Sequence, residues 1–166
     1  MKTIFTLGLV FCSLTLAQAQ VYFDANLDPF QEVPPHNTPG YGSADFTLSG
    51  TTLSINAGSG LYADLLAGAS TVTLSDAAVG ANGPTVFLFN LDTPGNTSGT
   101  FSGSGTLTAG QITDLNNGNL YVNITDAVFP SGEIRGQILA VPEPATLALA
   151  GLGGLALLAV RRAKAA

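Results

Sequence analysis

The chain has 166 residues, room for one domain of ordinary size, and only 10% of them are charged. Glycine, serine, threonine and asparagine replace the missing charges, which favours turns and short strands over helices. Residues 20–140 contain one arginine and ten carboxylates, a formal charge of −9, so we expect this region to repel nucleic acid phosphates and anionic lipid surfaces.

The first predicted element is an export signal over residues 1–19. Lys2 gives it a positive start, and the apolar run over residues 4–16 is too short to span a bilayer comfortably. Small residues at Ala17 and Ala19 form an A-x-A site, so we expect signal peptidase to cut before Gln20. The alternative is a buried N-terminal helix. The only cysteine, Cys12, lies in this segment, which leaves the exported domain without disulfides.

Residues 20–140 alternate short β-type runs with turn residues, as in an antiparallel sandwich or barrel. The predicted strands cover residues 21–27, 44–48, 52–56, 71–75, 85–91, 120–125 and 133–139, and a hairpin turn lies around Gly50. A proline-rich loop is expected over residues 30–42, and a loop or weak edge strand over residues 92–104. Thr108 is expected to cap a short helix that Gly118 ends.

The last predicted strand has two different faces. Glu133, Arg135 and Gln137 share one face, and the opposite face consists of Ile134, Gly136 and Ile138. We expect Glu133 and Arg135 to form a same-face or cross-strand ion pair. As the only cation between residues 20 and 140, Arg135 should have a defined carboxylate or carbonyl partner.

Groups that catalysis usually needs are scarce in this region. His36 is the only histidine and is expected to be solvated in the proline-rich loop, and no nucleophile elbow or phosphate-binding loop is present. Aspartates at strand ends leave a calcium site open, although the D-x-D-x-D-G spacing is missing. A hydrolase with paired carboxylates such as Asp126 and Glu133 is a further alternative. We expect no enzyme, no cofactor and no metal site.

The C-terminal segment, residues 141–166, has three parts. A short motif comes first, Pro142-Glu143-Pro144; an uncharged run over residues 145–160 follows, and a basic cluster ends the chain, Arg161, Arg162 and Lys164. As a helix the run is about 24 Å long, and the basic cluster should stop it at the cytoplasmic face. This order resembles the PEP-CTERM sorting signal of Gram-negative bacteria. The resemblance implies processing by exosortase, a membrane protease, and an association with extracellular polysaccharide and biofilm; the alternative is a plain membrane anchor.

Four motifs in the central region resemble the CHRD domain family, named from chordin, over residues 21–139. They are Glu32-Val33-Pro34-Pro35, Gly83-Pro84, the L-T-x-x-Q…Y-V-N-I stretch over residues 107–124, and the F-P-S-G-E-I-R-G-Q-I run over residues 129–138, with Gly132, Glu133, Arg135 and Gly136 at its centre. The resemblance implies an immunoglobulin-like, Greek-key antiparallel β-sandwich over residues 20–140 and supplies no activity. Histidines common in the family are missing from residues 70–74 and 124–126, so a metal site based on them does not transfer.

Together these features predict an exported structural or interaction protein of the cell surface or biofilm matrix of a Gram-negative bacterium. Signal peptidase and exosortase are the expected processing partners, and the membrane is contacted through the C-terminal helix before processing. Extracellular polysaccharide is the candidate ligand. The alternative function is a carbohydrate- or calcium-binding surface module.

Overall fold

Alternating apolar and polar residues form eleven strands in a computed structural model, which describes residues 20–142. One 3₁₀-helix (Pro29–Gln31) and one α-helix, α1 (Ala109–Asn116), accompany them in this part of the chain. The strands are β1 (Val21–Leu27), β2 (Tyr41–Ser49), β3 (Thr52–Ile55), β4 (Leu61–Ala63), β5 (Thr71–Asp76), β6 (Thr85–Leu91), β7 (Gly99–Ser102), β8 (Ser104–Thr106), β9 (Leu120–Thr125), β10 (Ile134–Gln137) and β11 (Leu139–Ala140). The predicted export signal, membrane helix and basic cluster lie outside the described residues.

The strands form two connected sheets in which every described pairing is antiparallel. The front sheet has the order β10-β9-β5-β6. The back sheet has β1 and β2 at its centre, with β11 beside β1 and with β3 and β4 following each other along the far side of β2. The prediction of an antiparallel all-β fold is therefore confirmed.

The region expected to be a loop or weak edge strand, residues 92–104, ends in β7, and β8 follows directly. β7 pairs with β4 and with β6 and thereby joins the two sheets, whereas β8 pairs with β3. Phe101 is the only large apolar residue of β7 and is buried against Phe89, with 6.2 Å between ring centroids. The prediction of a loop or edge strand is wrong for β7, because backbone pairing on both sides compensates for its few apolar side chains.

The single strand predicted over residues 133–139 is divided between the sheets. β10 pairs with β9 in the front sheet, and two residues later β11 pairs with β1 in the back sheet. Asp28 and Arg135 exchange backbone hydrogen bonds of 3.0 and 3.1 Å beside this crossing. This edge of the sandwich is therefore closed by backbone hydrogen bonds, as a barrel would be.

The core lies between the sheets and consists of inward-facing residues of the strands other than β8 and β11. Fully buried members include Phe23, Phe46, Leu53, Leu74 and Ile124. Burial of each such side chain contributes about 1.5–3 kcal/mol relative to exposure to water. None of the helices within residues 20–142 is long and apolar enough to cross a membrane.

The predicted hairpin and helix are confirmed. Gly50 has a φ of 60° in the turn between β2 and β3. Thr108 and Gln111 form a reciprocal capping box in which each side chain accepts from the other's backbone N–H, at 3.3 and 2.9 Å. Leu115 buries the inner face of α1, and Gly118 follows its end with a φ of 72°.

Candidate functional site

The motif segments quoted above meet at one end of the front sheet. β9 and β10 provide its strands, and the loop over residues 77–84 lies across their outer face. Asn82 in this loop donates its side-chain N–H to the carbonyl of Val33, at 2.8 Å, and thereby reaches the proline-rich loop. Segments far apart in the chain therefore build one site.

Two of the three side chains predicted for the polar face of the last strand, those of Arg135 and Gln137, are buried under this loop. Only 1% of the Arg135 side chain is exposed. Its guanidinium group donates hydrogen bonds to four oxygen atoms, of Ala81 (2.8 Å), Gln137 (3.1 Å), Asn82 (3.3 Å) and Ala78 (3.4 Å). The prediction of a defined carbonyl partner is confirmed, and Arg135 fixes the loop to the sheet.

Arg135 has an aromatic neighbour and no ion pair among the described residues. Its guanidinium carbon lies 3.5 Å from the ring centroid of Tyr121, a cation–π contact in a site closed to water. Burial lowers the pKa of Arg135, and the neighbouring Tyr121 and Glu32 oppose that change. The predicted ion pair between Glu133 and Arg135 is wrong, because the Glu133 carboxylate is held elsewhere.

Glu133 and Asp126 form a buried carboxyl pair that holds the loop between β4 and β5. The Leu66 N–H donates to both oxygens of Glu133, at 3.0 Å each, and the Ala67 N–H donates to Asp126 at 2.9 Å. Burial and the hydrogen bond to Asp126 raise the pKa of Glu133 to about 7, while Thr38 and Leu66 lower it. The structure does bring together the two carboxylates considered for a hydrolase, but with 0% and 2% exposure they face backbone rather than solvent.

Glu32 is the third buried carboxyl group of the site. Its side chain is 4% exposed, and its Oε1 atom has no hydrogen-bond partner among the described residues. The Oδ1 atom of Asn123 is buried and unpartnered in the same way, while its Nδ2 donates to the Ser131 carbonyl at 2.8 Å. Burial raises the pKa of Glu32 to about 7, against the opposing effects of Arg135 and of the Val33 backbone N–H. A protonated Glu32 can donate to Asn123, whereas an ionised Glu32 cannot.

Gly132 lies next to both acceptor atoms, Oε1 of Glu32 and Oδ1 of Asn123, and this explains why the motif has a glycine at this position. A Cβ atom there would collide with Oε1 of Glu32 and with Oδ1 of Asn123. Its φ of 141° is in addition a conformation that side-chain-bearing residues rarely adopt.

Gly132→Ala is expected to destabilise the protein by about 1–3 kcal/mol more than Gly103→Ala. Gly103 has a closely similar φ of 138°, but its Cβ would meet Phe89 at an ordinary 3.5 Å. The two alanine variants therefore have similar backbone strain, and they differ only in whether the new Cβ atom collides with its neighbours. Urea unfolding of both variants measures the difference, and equal losses would show that the glycine serves backbone conformation alone.

A polar trough opens beside Asn123 on the outer face of the front sheet. Its volume is about 300 Å³. Its floor and walls are made by hydroxyl and amide side chains of β5, β9 and the flanking loops, among them Thr73, Ser75, Thr85, Asn123, Thr125 and Ser131. No charged side chain lines this trough.

The remaining predicted residues lie around this site or outside the described chain. Pro34 and Pro35 are exposed, and Gly136 packs so closely on β1 that a Cβ would meet the Asn26 carbonyl. His36 is half-buried with its ring centroid 4.3 Å from that of Phe129, so the prediction of a solvated histidine is wrong. Within residues 20–142 no three His, Cys, Asp or Glu side chains are grouped as metal ligands.

The predicted cleavage and sorting residues lie mostly beyond the structure. Gln20 and Pro142 are exposed at the two limits of the described chain. The other residues predicted for processing lie outside it: Ala17, Ala19, Glu143, Pro144, Arg161, Arg162 and Lys164. Their predicted roles therefore remain predictions.

Sequence reasoning missed the trough and the aromatic partner of Arg135. The available signal was the alternation of β5 and β9, in which Thr73 and Ser75 share the outer face with Tyr121, Asn123 and Thr125. Such residues resemble an ordinary solvated strand face. Only the loops that enclose them turn the face into a concave site.

Comparison with known families matches two parts of the chain. Residues 23–138 match the family model of the CHRD domain, and residues 140–163 match the PEP-CTERM protein-sorting motif. No curated protein and no solved structure shows significant similarity to the chain. The sorting motif marks an exported protein that exosortase processes and that is sorted to the cell surface of Gram-negative bacteria. Since the first match covers more than two thirds of the chain, the protein belongs to the CHRD domain family.

Proposed function

We propose that this protein is a non-enzymatic component of the cell surface and biofilm matrix, whose CHRD domain is an interaction module. The observation that carries the proposal is the order of the two family matches. The sorting motif begins at residue 140, directly after the CHRD match ends at residue 138, so the domain is the part that sorting delivers.

The use of the buried acidic groups supports a non-enzymatic role. Asp126 accepts from the backbone N–H groups of Ala67 and Phe129, and Glu133 accepts from that of Leu66. Both carboxyl groups are buried and have no direct access to a substrate. Glu32, within the proline-rich loop, is buried as well. General acid–base catalysis needs a group within hydrogen-bond reach of the reacting atoms, and these three carboxyl groups face the protein interior.

We further propose that the fold is an immunoglobulin-like Greek-key sandwich. The front-sheet order β10-β9-β5-β6 supports it, because it is the order of strands G, F, C and C′ in a variable-type immunoglobulin domain. The domain would span residues 20–140, following a signal peptide over residues 1–19. The membrane helix over residues 145–160 would hold the chain until exosortase cuts near Pro142-Glu143-Pro144.

The proposal is tested by following the full chain in the producing bacterium. We expect the wild-type protein in the extracellular polysaccharide fraction, with an intact mass that shows cleavage before Gln20 and near Pro142. Replacement of Pro142, Glu143 and Pro144 by alanine, or deletion of the exosortase gene, should retain a heavier form in the inner membrane. A matched control, Pro34→Ala with Pro35→Ala, changes exposed prolines of the domain and should leave sorting intact. Equal recovery of all forms in the extracellular fraction would contradict the proposal.

A further inference from the structure

We propose that the polar trough binds an uncharged sugar residue of an extracellular polysaccharide. The inference rests on the surface role proposed above and assigns it a site and a ligand class. The trough is concave, and its volume of about 300 Å³ lies at the lower end of the range for small-molecule sites. It is therefore suited to one ring-sized group rather than to a flat protein partner.

The chemistry of the lining favours a ligand rich in hydroxyl groups. Thr73, Thr85 and Ser131 present hydroxyls, each of which can donate and accept. The Thr125 hydroxyl already pairs with that of Thr71 at 2.7 Å. The Asn82 amide already bonds to Val33 and Arg135. The Thr85 and Ser131 hydroxyls form no hydrogen bond with any other described residue, and the contacts of Thr73 are long, at 3.4 and 3.5 Å. These groups are free to pair with sugar hydroxyls.

An exposed apolar side chain lies next to one of the residues that line the trough. Leu88 is 65% exposed and lies directly opposite Thr73 in the pairing of β5 with β6, so both side chains project from the outer face. A sugar ring offers C–H groups as well as hydroxyls, and Leu88 provides a surface on which those C–H groups can pack. The site thus combines polar floor groups with one apolar contact.

The trough is rigid before any ligand arrives. Tyr121 accepts the Gly83 N–H at 3.1 Å, and Asn123 donates to the Ser131 carbonyl at 2.8 Å, which fixes opposite walls. Arg135 holds the loop over residues 77–84 through hydrogen bonds to the carbonyls of Ala81 and Ala78. A preformed site loses little conformational entropy on binding, which is how a shallow polar site reaches useful affinity. The cluster around Arg135 is therefore the support of the site rather than a contact of the ligand.

The charge of the domain determines which class of polysaccharide can bind in the trough. The lining is uncharged, and residues 20–140 carry a formal charge of −9. Arg135, the only cation of this region, is 1% exposed and already has four oxygen acceptors. A polymer of uronic acids would be repelled without gaining an ion pair, so the expected ligand is uncharged.

The test uses the purified full chain in detergent on an array of defined bacterial oligosaccharides, both uncharged and uronate-containing. We expect binding to at least one uncharged oligosaccharide. The double variant Thr85→Ala/Ser131→Ala should weaken that binding at least about tenfold, since it removes two hydrogen-bonding groups. Thr73→Phe, which fills the floor, should abolish it. The matched control Thr52→Ala/Ser54→Ala removes two hydroxyls from β3 in the back sheet and should change affinity by less than about twofold.

Thermal unfolding of every variant verifies that it is folded, and the double variant decides the question if Thr73→Phe is not. Three results would overturn the inference: no binding to any uncharged oligosaccharide, binding to uronate-containing ones only, or an affinity that the double variant leaves unchanged. If the protein is sorted normally but gives one of these results, the sugar site is refuted and the surface role stands. If it is never sorted, the surface role itself is refuted.

Discussion

Raising the pH from 5 to 8 is expected to lower the free energy of unfolding by about 2 kcal/mol for each of two buried carboxyl groups, Glu32 and Glu133. Both have a pKa raised from the ordinary glutamate value of 4.5 to about 7, chiefly by burial. Between these two values the folded protein binds more protons than the unfolded chain. Stability is therefore greatest below pH 4.5 and is lost as the pH rises through 7, as far as these two groups determine it.

Glu32→Gln isolates one of the two contributions. A glutamine cannot ionise, and its Nε2 can donate to the unpartnered Oδ1 of Asn123 as a protonated glutamate would. We expect the variant to match the wild-type protein at pH 5, to exceed it at pH 8, and to retain only the pH dependence that belongs to Glu133. Urea unfolding at half-unit pH intervals measures the slope.

Asp45→Asn is the control for the loss of one negative charge, because Asp45 is an exposed residue of β2. It should leave the difference between pH 5 and pH 8 unchanged. A Glu32→Gln protein whose stability falls with pH as steeply as the wild type would show that Glu32 is ionised in the folded state across the whole range. That result would also exclude a hydrogen bond donated by a protonated Glu32 to Asn123.

Arg135→Leu is expected to cost about 3–5 kcal/mol of stability, the largest effect of any single substitution considered for this protein. The change strands two backbone carbonyls, of Ala78 and Ala81, under a buried loop and removes the cation from the Tyr121 ring. Arg135→Lys keeps the charge but lacks the planar fork that reaches four acceptors, so it should recover less than half of the loss. Urea unfolding at pH 6 gives both values.

Asn82→Ala is the matched control, because it removes a single 3.3 Å contact with Arg135 together with the 2.8 Å bond to Val33. It should cost about 1 kcal/mol. Hydrogen exchange should in addition show that Arg135→Leu accelerates exchange in the loop over residues 77–84 more than in β1. An Arg135→Leu protein as stable as the wild type would mean that the guanidinium does not hold this loop.

Local sequence signals were sufficient for much of the fold. The period-two pattern of Val21–Leu27, the glycine turn at Gly50 and the helix cap at Thr108 each depend on neighbours within a few residues. The structure places all three as predicted. The family motifs also located the candidate site, since Glu32, Gly132 and Arg135 lie together in it.

Features that depend on contacts between distant segments could not be predicted from the sequence. Arg135 alternates with apolar residues, which predicts its place on the polar face of the strand. Its burial results from a loop more than fifty residues earlier in the chain. β7 has a single large apolar residue, and its place between β4 and β6 follows from pairing that no local pattern encodes. The trough likewise requires loops from two parts of the chain, at residues 82–83 and 130–131, so its hydroxyls resemble plain strand surface in the sequence.

The crossing from β10 to β11 has a mechanical consequence for a protein tethered through its C-terminal end. Pulling on that end first loads β11, which is matched to β1 by only two residue pairs, Phe23 with Ala140 and Asp24 with Leu139. β10 follows, with four pairs to β9 and the Arg135 hydrogen bonds behind it. β11 can therefore detach from β1 and lengthen the chain by about 3.3 Å per residue while the two sheets stay packed together. Tension applied to that end would therefore open the pairing of β11 with β1 before it reached the core.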